Sequence, residues 1–448
     1  MWYVNKSTIL LFTLSILFAS CSKKVGKLFE PKSPYEKYVQ QLKQADIEKT
    51  AIGEEWINAG KRALQDTVSV ETPFKEVGYF SEEKVRALGF RFPARRGEVI
   101  LINAEWESRN PGRIFIDLFE ENYEDEKSRS ISSADSTLKL SYEVEEDQNF
   151  IVRIQPELLR GGKYTITISK NPSLPYPIPG RDSKTVGSFF GMDRDGGRRK
   201  HEGIDIFVPK RTPVVAISEG RISSVKENRL GGKVVLLNDL KRNYTLYYAH
   251  LDSQMVSRGE RVEIGDTLGL VGNTGNAITT PPHLHFGIYT WGRGAIDPFP
   301  FVANQSADYP EIKGNAAFIN ILVKAKDKDT PLYASVAGNS SVSGLINFKK
   351  LLVKNTLLDI IGLSGAFYKV MLPDNEHGYV NIHQVKTIEK PFETIVARNQ
   401  VSVLDYPDST AIIKDSIQVG KHIEIYGQFN NYLWVKYQNK QGWINQGF

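Results

Sequence analysis

Tyr164-Thr165-Ile166-Thr167-Ile168 alternates apolar and polar side chains without a break, the period of a strand that buries one face. Phe90-Arg91-Phe92 and residues 113–119, 138–144 and 150–154 read the same way, separated by Gly, Asn and acidic turns. Several short strands in succession, with no helix between them, predict a β-sandwich over residues 71–170. Towards the N-terminus, Ser33-Pro34-Tyr35-Glu36 reads as a capping box with proline at the first helical position. Tyr35, Tyr38, Val39, Leu42 and Ala45 follow at helical spacing, a second helical stretch covers about 54–64, and residues 21–70 read as a tether with a helical segment. Towards the C-terminus, residues 171–180 hold four prolines, Pro172, Pro175, Pro177 and Pro179, so 171–184 is expected to be a stiff linker. A second strand-rich unit spans 185–302. Beyond it Phe367-Tyr368-Lys369-Val370 and Gly378-Tyr379-Val380-Asn381 match Leu433-Trp434-Val435-Lys436 and Gly442-Trp443-Ile444-Asn445. That weak repeat suggests two small barrels, 317–388 and 393–448. The expected fold class is mainly β and multi-domain.

The chain has 448 residues, of which 41% are apolar and 24% charged, with a net charge of +5. This is ordinary for folded domains and too weak a positive balance to argue for nucleic acid. One cysteine excludes an internal disulfide framework and a zinc ribbon or finger. Lys6 followed by an apolar run over 9–18 and small residues at Ala19 and Ser20 reads as a signal peptide over 1–20, too short to span a ~30 Å bilayer. Phe18-Ala19-Ser20-Cys21 resembles a bacterial lipoprotein lipobox, with Phe18 in place of the usual Leu. The resemblance implies cleavage before Cys21, its lipidation, and a protein anchored to a membrane and facing the periplasm or exterior.

Four of the seven histidines lie between residues 201 and 285. His283 and His285 are two apart, so on a strand both rings share one face, ~6.6 Å apart along the chain, while Leu284 and Phe286 fill a core on the other. One ring can then bind a metal while its neighbour faces the reaction centre. His201 and Asp205 are four apart, ~13 Å on a straight strand, whereas two ligands of one tetrahedral zinc lie ~3.3 Å apart. Gly203, Ile204, Ile206, Val208 and Pro209 are poor helix formers. The chain is therefore expected to turn at Glu202-Gly203 and enter a strand at Asp205. Two imidazoles and one carboxylate with a fourth position open describe a catalytic zinc site rather than a structural one, and such a site activates water. His250 and His283 remain to relay a proton or stabilise an oxyanion.

Gly187-Ser188-Phe189-Phe190-Gly191, His201-x-x-x-Asp205, Tyr248-Ala249-His250-Leu251, the glycine-rich stretch 265–275 and Pro282-His283-Leu284-His285-Phe286-Gly287 together resemble the M23 (lysostaphin/LytM-type) zinc metallopeptidases over 185–302. The resemblance implies one zinc per chain on His201, Asp205 and His285, with His250 and His283 assisting catalysis. It further implies hydrolysis of peptide cross-links in bacterial peptidoglycan, with stem peptides as substrate partners. Whether the scissile bond is D-alanyl to a diamino acid or Gly–Gly stays open. The rival is a silent or auto-inhibited wall-binding regulator; all five polar residues are present, which favours an enzyme. The C-terminal repeat resembles bacterial SH3-like domains that attach to wall hydrolases. An envelope protein activator is a further expected partner. The basic run Arg194, Arg198, Arg199 and Lys200 is a candidate for attracting substrate carboxylates, and 230–233 and 279–282 are candidate groove walls.

Overall fold

A computed structural model of the chain describes residues 32–65, 68–121, 130–304, 308–336, 347–438 and 440–447. The expected signal peptide and Cys21 lie outside the described residues. Strand makes up 49% and helix 12%, in keeping with the mainly β expectation. Among the described residues no helix is long and apolar enough to cross a membrane.

The capping box forms as the sequence predicts. Ser33 Oγ accepts from the Glu36 amide at 3.1 Å, and Glu36 accepts from the Ser33 amide at 2.9 Å, starting the helix Pro34–Gln44. Tyr35 stacks on Trp56 of the helix Ala51–Gln65, ring centroids 5.0 Å apart.

Residues 71–170 supply strands to two sheets. One carries Leu88–Ala94, Gln148–Pro156 and Ile114–Glu120 side by side; the other carries Phe74–Phe80, Gly162–Pro172, Glu98–Glu107 and Lys139–Glu143. Phe74, Phe80, Phe90, Phe92, Phe150 and Ile166 meet between them. The second sheet does not end at Phe74–Phe80. Val77 and Gly78 of that strand pair with Leu363 and Gly362 of Leu357–Ser364, so the sandwich and the 317–388 segment share one hydrogen-bonded sheet. An edge strand must be paired or covered, and here a segment almost 300 residues later does it. Glu76 seals the junction: Tyr164 and Tyr379 donate to its two oxygens at 2.8 and 2.9 Å, and the buried Lys369 ammonium lies 3.8 Å away.

The repeat is real at the level of strand pairing, with one correction to its alignment. Val370 pairs with Gly378 and Val435 with Gly442, so Val370 corresponds to Val435, one residue off the match read from sequence. The preceding hairpins also agree, each with a bulge before a glycine, Gly362 and Gly427. Lys369 and Tyr379 of the first copy thus correspond to Trp434 and Trp443 of the second. The first pair meets the sandwich at Glu76, and the second packs against the first copy with Leu357 and Leu358.

The strands that carry the histidines form one antiparallel sheet in the order Val186–Ser188, Ile204–Phe207, His283–Thr290, Tyr244–Gln254, Gly232–Asp239, Gly220–Asn228 and Arg261–Val262. Ile204, Ile206, Leu284, Phe286, Leu246 and Tyr248 are buried beneath it. The proline-rich segment is no free spacer. Leu174 and Ile178 join this core, the Leu174 amide donates to Phe301 O at 2.9 Å, and Val215 donates to Pro177 O at 3.0 Å.

Candidate metal centre and groove

Antiparallel pairing sets Asp205 directly opposite His285 and Phe207 opposite His283, so both histidines and the aspartate share one sheet face. Their alternating neighbours Ile204, Ile206, Leu284 and Phe286 are wholly buried on the other face. His201 precedes the strand and is brought in by the turn through Glu202 and Gly203. A side chain at Gly203 would put Cβ 2.4 Å from Phe286 O and 2.9 Å from His285 Nε2, so only glycine allows this approach.

The result is a tight triangle. His201 Nε2, His285 Nδ1 and Asp205 Oδ1 are each 3.0 Å from the other two. Near the base of the triangle, His201 Nδ1 donates to the Phe189 carbonyl at 2.9 Å, which leaves Nε2 with its lone pair facing the other two ligand atoms. Burial pushes the Asp205 carboxyl up, and its close contacts with the His201 and His285 imidazoles more than offset it, so it stays well below the usual carboxylate range. Burial holds His285 below the ordinary imidazole value against the opposing pull of Asp205. Two imidazole nitrogens and one carboxylate oxygen therefore converge on one point. That donor set suits a divalent cation such as zinc.

His250 and His283 stand beside the triangle with ring centroids 5.0 Å apart. His250 Nδ1 donates to Thr274 O at 2.9 Å and His283 Nδ1 to Pro281 O at 2.8 Å. Each ring is thereby locked in the tautomer whose Nε2 accepts a proton. His250 has a φ of +60°, unfavourable for a non-glycine residue. It lies in a bulge: Lys233 pairs with Leu251 and Val235 with Tyr248, so Ala249 and His250 together face Val234. The bulge turns a ring that strict alternation would aim elsewhere. Burial first, then the neighbouring His285 and His283, push His250 down to about 4, and it is neutral at pH 7.

All five sequence-predicted site residues line a single groove of about 540 Å³, with Phe207, Leu230, Tyr247, Thr280 and Tyr289 among its walls. Leu230 and Thr280 fall within the two predicted wall segments. Burial, and for Tyr289 also Glu202, raises the phenols of Tyr247 and Tyr289 above their ordinary value, so both remain O–H donors at neutral pH. The basic run is interleaved with acids. Arg199 pairs with Asp195 and Lys200 with Asp193, both at 2.6 Å, while Arg194 turns inward to Asp205, also at 2.6 Å. Three of its four cations are thus paired with neighbouring carboxylates. Tyr247 and Tyr289 were not legible as site residues, and Arg194, read from sequence only as a candidate for attracting substrate, instead meets Asp205 through folding.

The model of peptidase family M23 matches residues 199–298, the segment that supplies all five polar residues. Residues 199–298 are a peptidase family M23 domain. Among curated relatives, this chain is similar to the L-Ala--D-Glu endopeptidase of Bacillus subtilis (strain 168), 35% identical over 139 residues, 28% of this chain and 41% of that protein. The glycyl-glycine endopeptidase ALE-1 of Staphylococcus capitis is 38% identical over 124 residues, 27% of this chain and 33% of that protein. The peptidoglycan DD-endopeptidase ShyC of Vibrio cholerae is 34% identical over 109 residues, 23% of this chain and 24% of that protein. The chain therefore spans less than half the length of each of these relatives. Of solved structures, the catalytic domain of lysostaphin from Staphylococcus simulans is 34% identical, with a TM-score of 0.24, over 26% of this chain and 89% of that one.

Proposed function

We propose that the protein is a zinc endopeptidase that hydrolyses peptide cross-links of bacterial peptidoglycan. The observation that carries the reading is the triangle of His201, Asp205 and His285 at 3.0 Å spacing, set in a groove with two further histidines at its margin. His201 Nε2, Asp205 Oδ1 and His285 Nδ1 would hold the zinc, one per chain. When bound, the zinc supplies Lewis acidity to a substrate carbonyl and an activated water.

The remaining steps belong to the chain's own side chains. The groove, walled in part by Phe207, Leu230, Tyr247 and Tyr289, receives the substrate peptide. His283 Nε2 or His250 Nε2 accepts a proton as water attacks, and returns it to the departing amine. Protonated, either imidazole places positive charge beside the oxyanion that forms at the carbonyl. Tyr247 and Tyr289, held in their neutral form, line the groove, the Tyr289 hydroxyl donating to Glu202 at 3.2 Å.

Relatives named as endopeptidases support the reaction class, but they differ in the bond their names give. The scissile bond is accordingly proposed only as a peptide bond of the wall. A silent regulator would not need five chemically competent residues around an open groove. The proposal places the mature chain at the cell envelope, held to a membrane through lipid on Cys21, with the C-terminal pair as SH3-like modules. The test is incubation of the purified protein with sacculi, with and without a chelator, followed by mass analysis of the soluble fragments. Release of muropeptides cut within the peptide, abolished by chelator and restored by zinc, is expected; intact sacculi under all conditions overturn the reading.

A further inference from the structure

The basic run before His201 folds into a small ribbon in which Asp193 pairs with Lys200 and Arg194 with Arg199, closed by Gly196 and Gly197 at φ of +68° and +88°. This ribbon carries Arg194 to the metal centre. One guanidinium nitrogen, Nη2, donates to Asp205 Oδ2 at 2.6 Å and to Ser188 Oγ at 2.6 Å. Ser188 Oγ in turn lies 3.3 Å from His201 Nδ1. The other carboxylate oxygen, Oδ1, is the one that meets His201 and His285. A single nitrogen thus touches one ligand directly and reaches a second through a hydroxyl.

We infer that Arg194 is a positioning residue that keeps Asp205 a one-oxygen ligand. A carboxylate can offer a metal one oxygen or two. A charge-assisted hydrogen bond at 2.6 Å occupies Oδ2 and fixes the plane of the group, so only Oδ1 is presented. Were Oδ2 released, it could swing into the corner that a catalytic site keeps for water and substrate. The same cation balances a carboxylate that is largely out of water. Ser188 extends the restraint to the His201 ring, already tied to the Phe189 carbonyl. Outer partners of this kind typically govern metal affinity by ~10–100-fold.

The inference rests on the zinc reading of the triangle, and its test separates the two. In the full chain, Arg194→Met removes the donors at nearly constant volume, Arg194→Lys retains the charge, and His201→Ala removes a ligand. Zinc affinity is measured by competition with a chelating dye, cobalt-substituted protein by visible absorption, and the zinc-free fold by thermal melting. Arg194→Met is expected to lower zinc affinity by ~10-fold or more and to weaken the cobalt bands, as they do when coordination number rises. Arg194→Lys should fall between it and the natural chain, and the zinc-free melts should coincide. Unchanged affinity and cobalt spectrum in Arg194→Met would overturn the inference while leaving the zinc reading intact. So would a lower zinc-free melting temperature with an unchanged cobalt spectrum, which would make Arg194 only a structural strut. If the natural chain binds zinc no better than His201→Ala, the zinc reading fails and the inference with it.

Discussion

His250 and His283 face each other with ring centroids 5.0 Å apart, and each commits Nδ1 to a main-chain carbonyl. Neither contributes to the triangle of ligand atoms, so replacing one should separate chemistry from metal binding. His283→Ala is expected to keep its zinc, hold KM within a few-fold, and lose ~10²–10⁴ in kcat. Metal analysis alongside muropeptide kinetics checks this; unimpaired turnover would remove His283 from the mechanism.

His201→Ala and Asp205→Ala should behave differently, losing zinc and activity together. The pH response follows from the same ligands. Burial lowers the proton affinity of His285, and its partners lower that of Asp205, so protons compete poorly with a metal until the solution is well acidic. Zinc content after dialysis should match at pH 7.5 and pH 6, then fall as pH drops further and His285 takes a proton. Release of half the zinc already at pH 6.5 would contradict this assignment.

Gly203 is expected to be intolerant of even one methyl group. Its Cβ would meet Phe286 O at 2.4 Å and His285 Nε2 at 2.9 Å, and neither backbone nor a ligand ring can yield without moving the centre. Gly203→Ala should lower zinc affinity, measured by dye competition, and reduce the melting temperature. A variant indistinguishable from the natural chain would show that the turn relaxes freely.

At the sheet junction, Glu76 is the sole anion within 4 Å of the Lys369 ammonium among the described ion pairs, and the ammonium also sits 4.0 Å from the Phe90 ring centre. Glu76→Gln leaves a buried cation uncompensated and should cost ~3–5 kcal/mol in denaturant unfolding. Adding Lys369→Met should recover part of that loss, because the pair is coupled. A double variant whose cost equals the sum of the two single costs would show that the two charges do not act together.

Cys21→Ala tests the anchor. The variant is expected in the soluble fraction after cell lysis while the natural chain sediments with membranes. A variant that still sediments would refute lipidation at this residue.

Much of the local structure is written in residue order. Period-two stretches such as 164–168 became strands because alternation alone decides which side chains can share a face. Ser33 and Glu36 capped their helix because the capping box is satisfied within four residues. The turn before Asp205 was legible too, since a straight strand would hold His201 and Asp205 ~13 Å apart and residues 203–209 are poor helix formers. The segment 171–184 misled for the same reason of range: prolines restrict the chain locally, but the buried contacts of Leu174 and Ile178 lie across the fold.

What sequence alone determined, then, was the set of groups able to do chemistry and the period of the strands that bear them. Tertiary structure decided which atoms meet. The register of Ile204–Phe207 against His283–Thr290 placed Asp205 opposite His285, a bulge re-aimed His250, and a short ribbon turned Arg194 from a surface charge into a partner of Asp205. Those outcomes depend on pairing between residues up to about eighty positions apart, where side-chain period and local propensity carry no information.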